Sequence, residues 1–372
     1  MKRKCKNVDI TSMKFICDAV QDCLNHKTTE KLNRKRTRKY LDEHDNDINK
    51  IALEIQNEIK NRNLVLEPVR YVNIIDRSNG KERVLTVESI KQQMMDYIAY
   101  RALSELDSRF GYYQINVRQG GSPLMAMRYV QGWIKDKNVK YVVQMDVHKC
   151  YPSISKGNMM KWLERHVSNN DLLWLIDELL STCEIGLPIG SYLSVKLCAL
   201  YMSDLYHYTE RNFRYYRRGK EHRAVLHQLF YLDDVFLFGS NARKLTEATK
   251  AFIAEASRMG LSIKPTWKMI CLKENREDTH IDILGYRVYH NRITMRRRDY
   301  LKCRKSLRKY KRSACIKNAR TIVALSGMFL KYTDSIKFSR KYNADFYINK
   351  ARKEISRYDK SSINRETRRS YC

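Results

Sequence analysis

Between Val225 and Gly239 the chain reads Val-Leu-His-Gln-Leu-Phe-Tyr-Leu-Asp-Asp-Val-Phe-Leu-Phe-Gly, two apolar β-type stretches broken by adjacent aspartates. Ionised carboxylates are costly to take out of water unless a cation or hydrogen-bond donors meet them. A tight hairpin turning at this pair would carry Asp233 and Asp234 to its tip, facing a cleft; the plainer alternative is an Asp-rich turn between two strands. Asp146 shifts the balance, because it ends a second apolar run, Lys140-Tyr-Val-Val-Gln-Met-Asp146. Adjacent antiparallel strands would bring it to the same place. Three converging carboxylates suit two hard divalent cations. Such ions, about 3.5–4 Å apart, can activate a 3′-hydroxyl and stabilise a leaving pyrophosphate.

The charge balance points to the same chemistry. Seventy-two Lys and Arg against 41 Asp and Glu leave the 372-residue chain at +31, which implies a polyanionic partner, nucleic acid before an anionic membrane. With 43% hydrophobic and 10% aromatic residues it can bury a core, so a disordered basic tail is excluded as the whole account. Its length suggests two or three structural units. No apolar stretch is long enough to span a bilayer, and the basic start Met1-Lys-Arg-Lys-Cys-Lys has no apolar region after it to make a secretory signal. The ten cysteines form no C-x-x-C pair, so reduced thiols and a cytoplasmic location are expected.

Along the chain, residues 1–66 read mostly as helices. Arg70 to Asp76 and Lys81 to Leu85 read as a β-hairpin turning at Asn79-Gly80. Helices are expected over 88–107, 122–135, two within 155–182, one after Pro188-Ile-Gly190 and one over 242–259, with strands near 281–295. Residues 287–320 carry fourteen Lys or Arg against one acid, Asp299, in a helical-looking run. A second basic cluster, Arg211, Arg214, Arg217, Arg218, Lys220 and Arg223, is interleaved with Phe213, Tyr215 and Tyr216. It suits single-stranded RNA by charge and stacking, or is a solvated loop.

In order along the chain, Gln144-Met-Asp146-Val-His-Lys-Cys-Tyr151-Pro-Ser-Ile resembles motif A of the reverse transcriptases, Gly186-Leu-Pro-Ile189-Gly190-Ser-Tyr-Leu-Ser194 motif B, and Tyr231-Leu-Asp233-Asp234 motif C. Gly260-Leu-Ser-Ile-Lys264-Pro-Thr-Trp-Lys268 resembles motif D and Ile283-Leu284-Gly285-Tyr286-Arg287 motif E. The resemblance covers roughly residues 69–340 and is to bacterial and phage retroelement enzymes, of the antiviral-defence, uncharacterised and diversity-generating groups. It implies an α+β right-hand polymerase fold. In that scheme 1–66 are an N-terminal helical extension, 67–140 fingers, 141–290 palm with an antiparallel sheet, and 291–372 a basic helical thumb and tail.

The same resemblance implies roles. Asp146 and Asp233 would bridge two Mg²⁺ ions, with Mn²⁺ a possible substitute, and Asp234 and the Val147 carbonyl would add oxygens. Tyr151, five residues after Asp146, stands where these enzymes exclude a ribose 2′-hydroxyl, although a lone tyrosine there is otherwise a core aromatic. Lys81 and Arg83 fall where cations meet the incoming triphosphate; taken alone they are a solvated face. Ile189 and Gly190 open motif B beside the nascent base pair. Lys268, with Lys264 in reserve, would protonate pyrophosphate. Leu284, Gly285 and Tyr286 would grip the primer, and Arg296, Arg297, Arg298, Lys302, Arg304 and Lys305 would follow the template–primer backbone.

The implied activity is RNA-directed synthesis of cDNA from dNTPs on a cognate structured non-coding RNA, with an accessory protein or a homo-oligomer possible and no membrane. The few tens of residues after the thumb leave no room for an RNase H domain. An antiviral-defence retroelement is the expected setting, because mutagenic relatives usually continue Ser-Gln where this chain has Ser194-Val195. An error-prone enzyme of a diversity-generating retroelement and a non-templated or protein-primed synthase are the alternatives.

Overall fold

Polar residues just ahead of apolar periodic stretches set where seven of the helices begin. In the computed structural model, Asp47, Ser89, Ser122, Ser155, Asn169, Ser191 and Asn241 each accept a backbone N–H from the first turn of the helix that follows, satisfying a donor that a helix start otherwise leaves open. The structure describes residues 2–75, 80, 82–117, 120–272, 278–330 and 336–369; in the helices, the side chains of 328–330, 336–337 and 360–369 are outside the description.

In chain order the elements are α1 (Met13–Asn25), α2 (Thr29–Leu32), α3 (Lys35–Glu43), α4 (Ile48–Lys60), β1 (Arg70–Ile75), β2 (Glu82–Val87), α5 (Ile90–Ala102) and a 3₁₀ turn (Leu103–Arg109). Next come α6 (Pro123–Lys135), β3 (Tyr141–Asp146), α7 (Cys150–Ser153), α8 (Lys156–His166), α9 (Asn170–Ser181) and α10 (Tyr192–Asn212). Strands β4 (Arg214–Arg217), β5 (Lys220–Arg223), β6 (His227–Tyr231) and β7 (Asp234–Gly239) precede α11 (Ala242–Arg258) and β8 (Lys268–Cys271). Finally β9 (His280–Ile283), β10 (Tyr286–Tyr289) and β11 (Ile293–Met295) lead to α12 (Arg297–Arg312), α13 (Ile316–Leu330), α14 (Ile336–Tyr342) and α15 (Ala344–Arg369).

The helices and hairpins expected from sequence are present, and the strands expected near 281–295 are β9 to β11, in which Tyr286, Val288 and Ile293 turn into the core. Within the basic run of 287–320 the helix therefore begins only at Arg297. The cluster from Arg214 to Arg223 is an ordered ribbon rather than a loop. The residues of the first hairpin's turn, 76–79, and Lys81 lie outside the described residues.

The chain divides into two units, residues 1–121 with 143–269, and 122–142 with 270–372, the boundaries falling within β3 and β8. In the first unit, α1 and α4 bury Ile16, Val20, Cys23, Ile51, Ile55 and Ile59 in the packing of α1 against α4 and α5. The central sheet runs β6-β7-β3-β8. Helix α10 is buried nearly all round, and on it Lys196, 2% exposed at the side chain, meets Asp107 at 2.8 Å. In the second unit β11-β10-β9 form a sheet, and α12 to α15 enclose a separate core of Cys303, Leu307, Tyr310, Ala319, Ile322, Phe338 and Ile348. Among the described residues nine cysteines are free, and no helix is long and apolar enough to cross a membrane.

A buried acid pair joins α5 to the start of α10. Asp96 accepts from the Ser191 hydroxyl and from the backbone of Tyr192 and Leu193, and faces Glu88, whose Oε1 is buried without a partner. Burial, then the neighbouring Asp96 charge, holds the Glu88 carboxyl far above the ordinary range, so the native pair retains a proton at neutral pH. The unfolded chain releases that proton above the ordinary carboxylate pKa, so stability from this pair is greatest in acid and falls as pH rises. Glu88→Gln keeps a hydrogen-bond donor to Asp96 without the proton. Thermal melts between about pH 6 and pH 8.5 should therefore decline more steeply for the wild type than for the variant, by on the order of 2–4 °C for each kcal/mol relieved. Parallel curves would show that the pair carries no native proton.

Candidate active site

Strand β3 delivers Asp146 at its end, and the β6–β7 hairpin delivers Asp233 in a two-residue turn closed by the Tyr231–Asp234 pair. Three backbone hydrogen bonds fix their relation. Val147 N–H donates to Asp233 O (2.9 Å), His148 N–H to Ser262 O (2.7 Å), and Lys264 N–H to Asp146 O (2.9 Å). Residues 262–264 thus pair antiparallel with 146–148 through the Val147–Ile263 bridge. That register carries Lys264 to Asp146, with Nζ 2.5 Å from Oδ1. The contact is ionic only, off the hydrogen-bonding direction, and leaves Oδ1 buried without a hydrogen bond.

The electrostatics follow from this geometry. Burial raises the Asp233 carboxyl above its ordinary range, and the Asp146 charge adds to the rise; the Lys264 ammonium and the Arg83 guanidinium oppose it. Arg83 is therefore part of the site's field, as the sequence suggested, while Lys81 lies outside the described residues. The Tyr151 phenol is pushed up chiefly by burial, with Cys198, Cys150 and Asp233 adding. Its backbone O accepts from Leu187 N–H (3.0 Å), and a Cβ at Gly186 would meet Pro152 O at 2.4 Å, so motifs A and B are joined through main chain. Ile189 O accepts from Thr86 N–H (2.8 Å), and at Gly190, with φ +122°, a Cβ would meet Thr86 O at 2.8 Å. Glycine is required there both by the close approach of β2 and by the backbone angle.

The remaining candidates are placed as follows. Asp234 heads β7, half-buried. Lys268 opens β8 with its side chain exposed, so of the two motif D lysines it is Lys264 that meets the carboxylate. Leu284 and Gly285 form the β9–β10 turn at φ +51° and +88°, with Tyr286 buried beside it, in the second unit. Arg296 is drawn to Asp282 (3.1 Å) and Arg298 lies 3.7 Å from Asp299. Arg304 is half-buried, whereas Arg297, Lys302 and Lys305 are exposed on α12, opposite its buried Cys303–Leu307–Tyr310 stripe.

Fit to a divalent cation can be judged from the donors. Among the described residues no three His, Cys, Asp or Glu side chains stand gathered as a ready cage. The buried Asp146 oxygen without a hydrogen bond, the Asp233 carboxyl beside it and the Lys264 ammonium lying against them are the arrangement a hard cation would satisfy. Asp146, Asp233, Asp234 and the Val147 carbonyl can supply oxygens for it.

One residue at this site was not legible in the sequence. Leu232, in the aspartate turn, has φ +54°, a left-handed angle that costs a leucine roughly 1–2 kcal/mol. Its N–H donates to Asn116 Oδ1 (3.2 Å). Asn116→Ala should lower unfolding free energy by about 1–2 kcal/mol, read from urea denaturation, with Asn116→Asp retaining most of it because the acceptor remains. Equal stability of all three proteins would remove the clamp.

Comparison with known proteins accords with this geometry. Residues 72–288 match the family model described as reverse transcriptase (RNA-dependent DNA polymerase). The chain is 25% identical over 178 residues to the putative COX1/OXI3 intron 1 protein of Saccharomyces cerevisiae, covering 45% of this chain and 21% of that protein. It is also similar to two solved telomerase structures from Candida tropicalis at 13% identity. One, in complex with a TWJ fragment of telomeric RNA, has a TM-score of 0.49 over 86% of this chain and 59% of that one. The other, the apo form, has 0.47 over 70% and 52%. With the family model spanning more than half its length, and with an aspartate at the end of β3 beside the aspartate turn of the β6–β7 hairpin, the chain belongs to the reverse transcriptase family.

Proposed function

We propose that this chain copies a structured non-coding RNA into cDNA from dNTPs by two-metal nucleotidyl transfer. The observation that carries the reading is the meeting of Asp146 and Asp233 with Lys264 in contact and Arg83 in the same field. Asp146, Asp233, Asp234 and the Val147 carbonyl would hold the ions. Mg²⁺, or Mn²⁺ in its place, would there activate the primer hydroxyl and neutralise pyrophosphate charge.

The chain's own residues do the rest. Arg83 sets positive charge where the triphosphate enters, and Lys81, two residues earlier in sequence, would add to it. Tyr151 walls the sugar pocket against a 2′-hydroxyl. The Ile189–Gly190 main chain, held by Thr86, shapes the surface under the base pair. Lys264 delivers a proton to pyrophosphate, in preference to the exposed Lys268. Leu284, Gly285 and Tyr286 hold the primer, while Arg297, Arg298, Lys302 and Lys305, with the half-buried Arg296 and Arg304, follow the template–primer backbone.

The setting that best suits the sequence is a cytoplasmic antiviral-defence retroelement of bacterial or phage origin, favoured by Ser194-Val195. Sequencing cDNA from cells carrying the native locus tests it. Faithful, repetitive or homopolymeric product rising on phage infection supports it, and errors concentrated at template adenines would instead assign a diversifying enzyme.

Two substitutions test the chemistry. Asp233→Ala should reduce divalent-cation-dependent dNTP incorporation on an RNA template by about 10³-fold or more, since several kcal/mol of transition-state stabilisation are lost. Activity near wild type would reject the metal assignment. Lys264→Met should lower single-turnover incorporation by about 10²-fold while Lys268→Met leaves it unchanged, in keeping with the size of general-acid effects. The opposite ranking would return the proton to Lys268.

A further inference from the structure

Strands β4 and β5 form a two-stranded ribbon between α10 and the aspartate hairpin, joined by Arg218 and Gly219 at φ +51° and +72°, the pattern of a tight primed turn. Its pairing is unusual electrostatically. Arg214 stands directly opposite Arg223, and Arg217 directly opposite Lys220. Like charges facing across an antiparallel pair oppose its formation, and a lone two-stranded ribbon is marginal to begin with. The ribbon holds one acid, Glu221, which is taken by Arg214 at 2.8 Å. Among the described residues Arg217, Arg218, Lys220 and Arg223 meet no acid, and all four are exposed.

Aromatic groups alternate with these cations. Phe213 is buried at the ribbon's base, where Ala224 N–H donates to its carbonyl. Tyr215 is covered by stacking on His222 (5.4 Å) and by the Lys244 ammonium (5.5 Å). Tyr216, on the opposite face, is 75% exposed, its hydroxyl near Glu221 at 3.4 Å. Side chains alternate across the ribbon, so Tyr216 shares its face with Arg214, Glu221 and the unpaired Arg223, with Arg218 at the tip, while Arg217 and Lys220 lie on the Tyr215–His222 face. Phosphates answer the charge, and an unpaired base answers the ring. A duplex offers the first but keeps its bases stacked inside.

We propose that this ribbon holds a single-stranded segment of the RNA template, with phosphates on Arg218 and Arg223 and a base stacked on Tyr216. The proposal rests on the RNA-directed polymerase reading for the identity of its strand.

Equilibrium binding of the full chain to a uridine-rich single-stranded RNA, across a salt series, tests it. Arg218→Ala/Arg223→Ala should weaken binding and flatten the slope of log K against log salt by about 1.4, as each single-strand phosphate contact contributes roughly 0.7. Tyr216→Ala should weaken binding about 5- to 100-fold with the slope unchanged, and Tyr216→Phe, which keeps the ring, should restore it. Binding of a blunt RNA duplex should be insensitive to Tyr216→Ala. Wild-type affinity in both alanine variants, or a loss on single-stranded DNA with RNA spared, overturns the proposal. Saturated primer–template with a short overhang should be extended at the wild-type kcat by every variant. A wild type that extends nothing would fail the polymerase reading, while the binding series would still decide whether the ribbon grips RNA.

Discussion

The antiparallel pairing of residues 146–148 with 262–264 is the constraint on which the site depends. One short bridge fixes the end of β3 against the segment after α11, and the same Val147 that sits in the bridge donates its N–H to the aspartate turn. Main chain, rather than side-chain packing, thereby sets the relation of Asp146, Asp233 and Lys264. Half-buried carboxylates that feel each other's charge repel unless a cation answers them. The Lys264 ammonium answers part of that charge, and the donor set left over has room for harder cations. A buried oxygen that accepts no hydrogen bond is costly in a finished fold and reasonable in a site built to be completed.

Much of the architecture was readable because several signals agreed. Helix starts carried Ser, Asp or Asn in capping positions, and the strand carrying Asp146 and the pair flanking Asp233–Asp234 were apolar runs ended by charge. The strands β9–β11 were legible near 281–295 despite Arg287 within them and Arg292 and Arg296 beside them, and only the start of the basic helix inside 287–320 was left open by charge. The ribbon of β4 and β5 has no apolar alternation at all, only tyrosines between cations, and its turn is Arg-Gly rather than Asn-Gly.

The site residues divide along the same line. Asp146 and Asp233 announce themselves by local pattern, as carboxylates ending apolar strand-like runs, whereas Tyr151 and Gly190 stand out only through the resemblance of their segments to motifs A and B. Neither route singles out Lys264 or Asn116. Choosing between Lys264 and Lys268 requires knowing which residue of the motif D segment pairs with β3, and that register is a tertiary fact. Asn116 reaches Leu232 from a segment more than a hundred residues earlier, held there by Gln114, which bonds Gly111 N–H and Ala199 O, and by the pairing of Ile115 N–H with Phe230 O. No local pattern encodes such a contact.

Leucines at left-handed backbone angles mark two of the chain's hairpin tips, Leu232 before Asp233 and Leu284 before Gly285. Glycine would relieve the strain at either place, yet the chain keeps a side chain whose cost there is roughly 1–2 kcal/mol. Strain of this kind persists where the surroundings over-determine the conformation. At Leu232 the surroundings are visible: β6 and β7 in register on either side, Asn116 on its N–H, and the Val147 N–H on the next carbonyl. At Leu284 the β9–β10 register and the Arg296 N–H on Gly285 O play the same part. A glycine would sample many angles and let Asp233 wander, and the metal chemistry proposed for it tolerates little of that. A leucine locked by its neighbours leaves one tip geometry. The energy held in that turn is best understood as the cost of keeping a buried carboxylate in a single position.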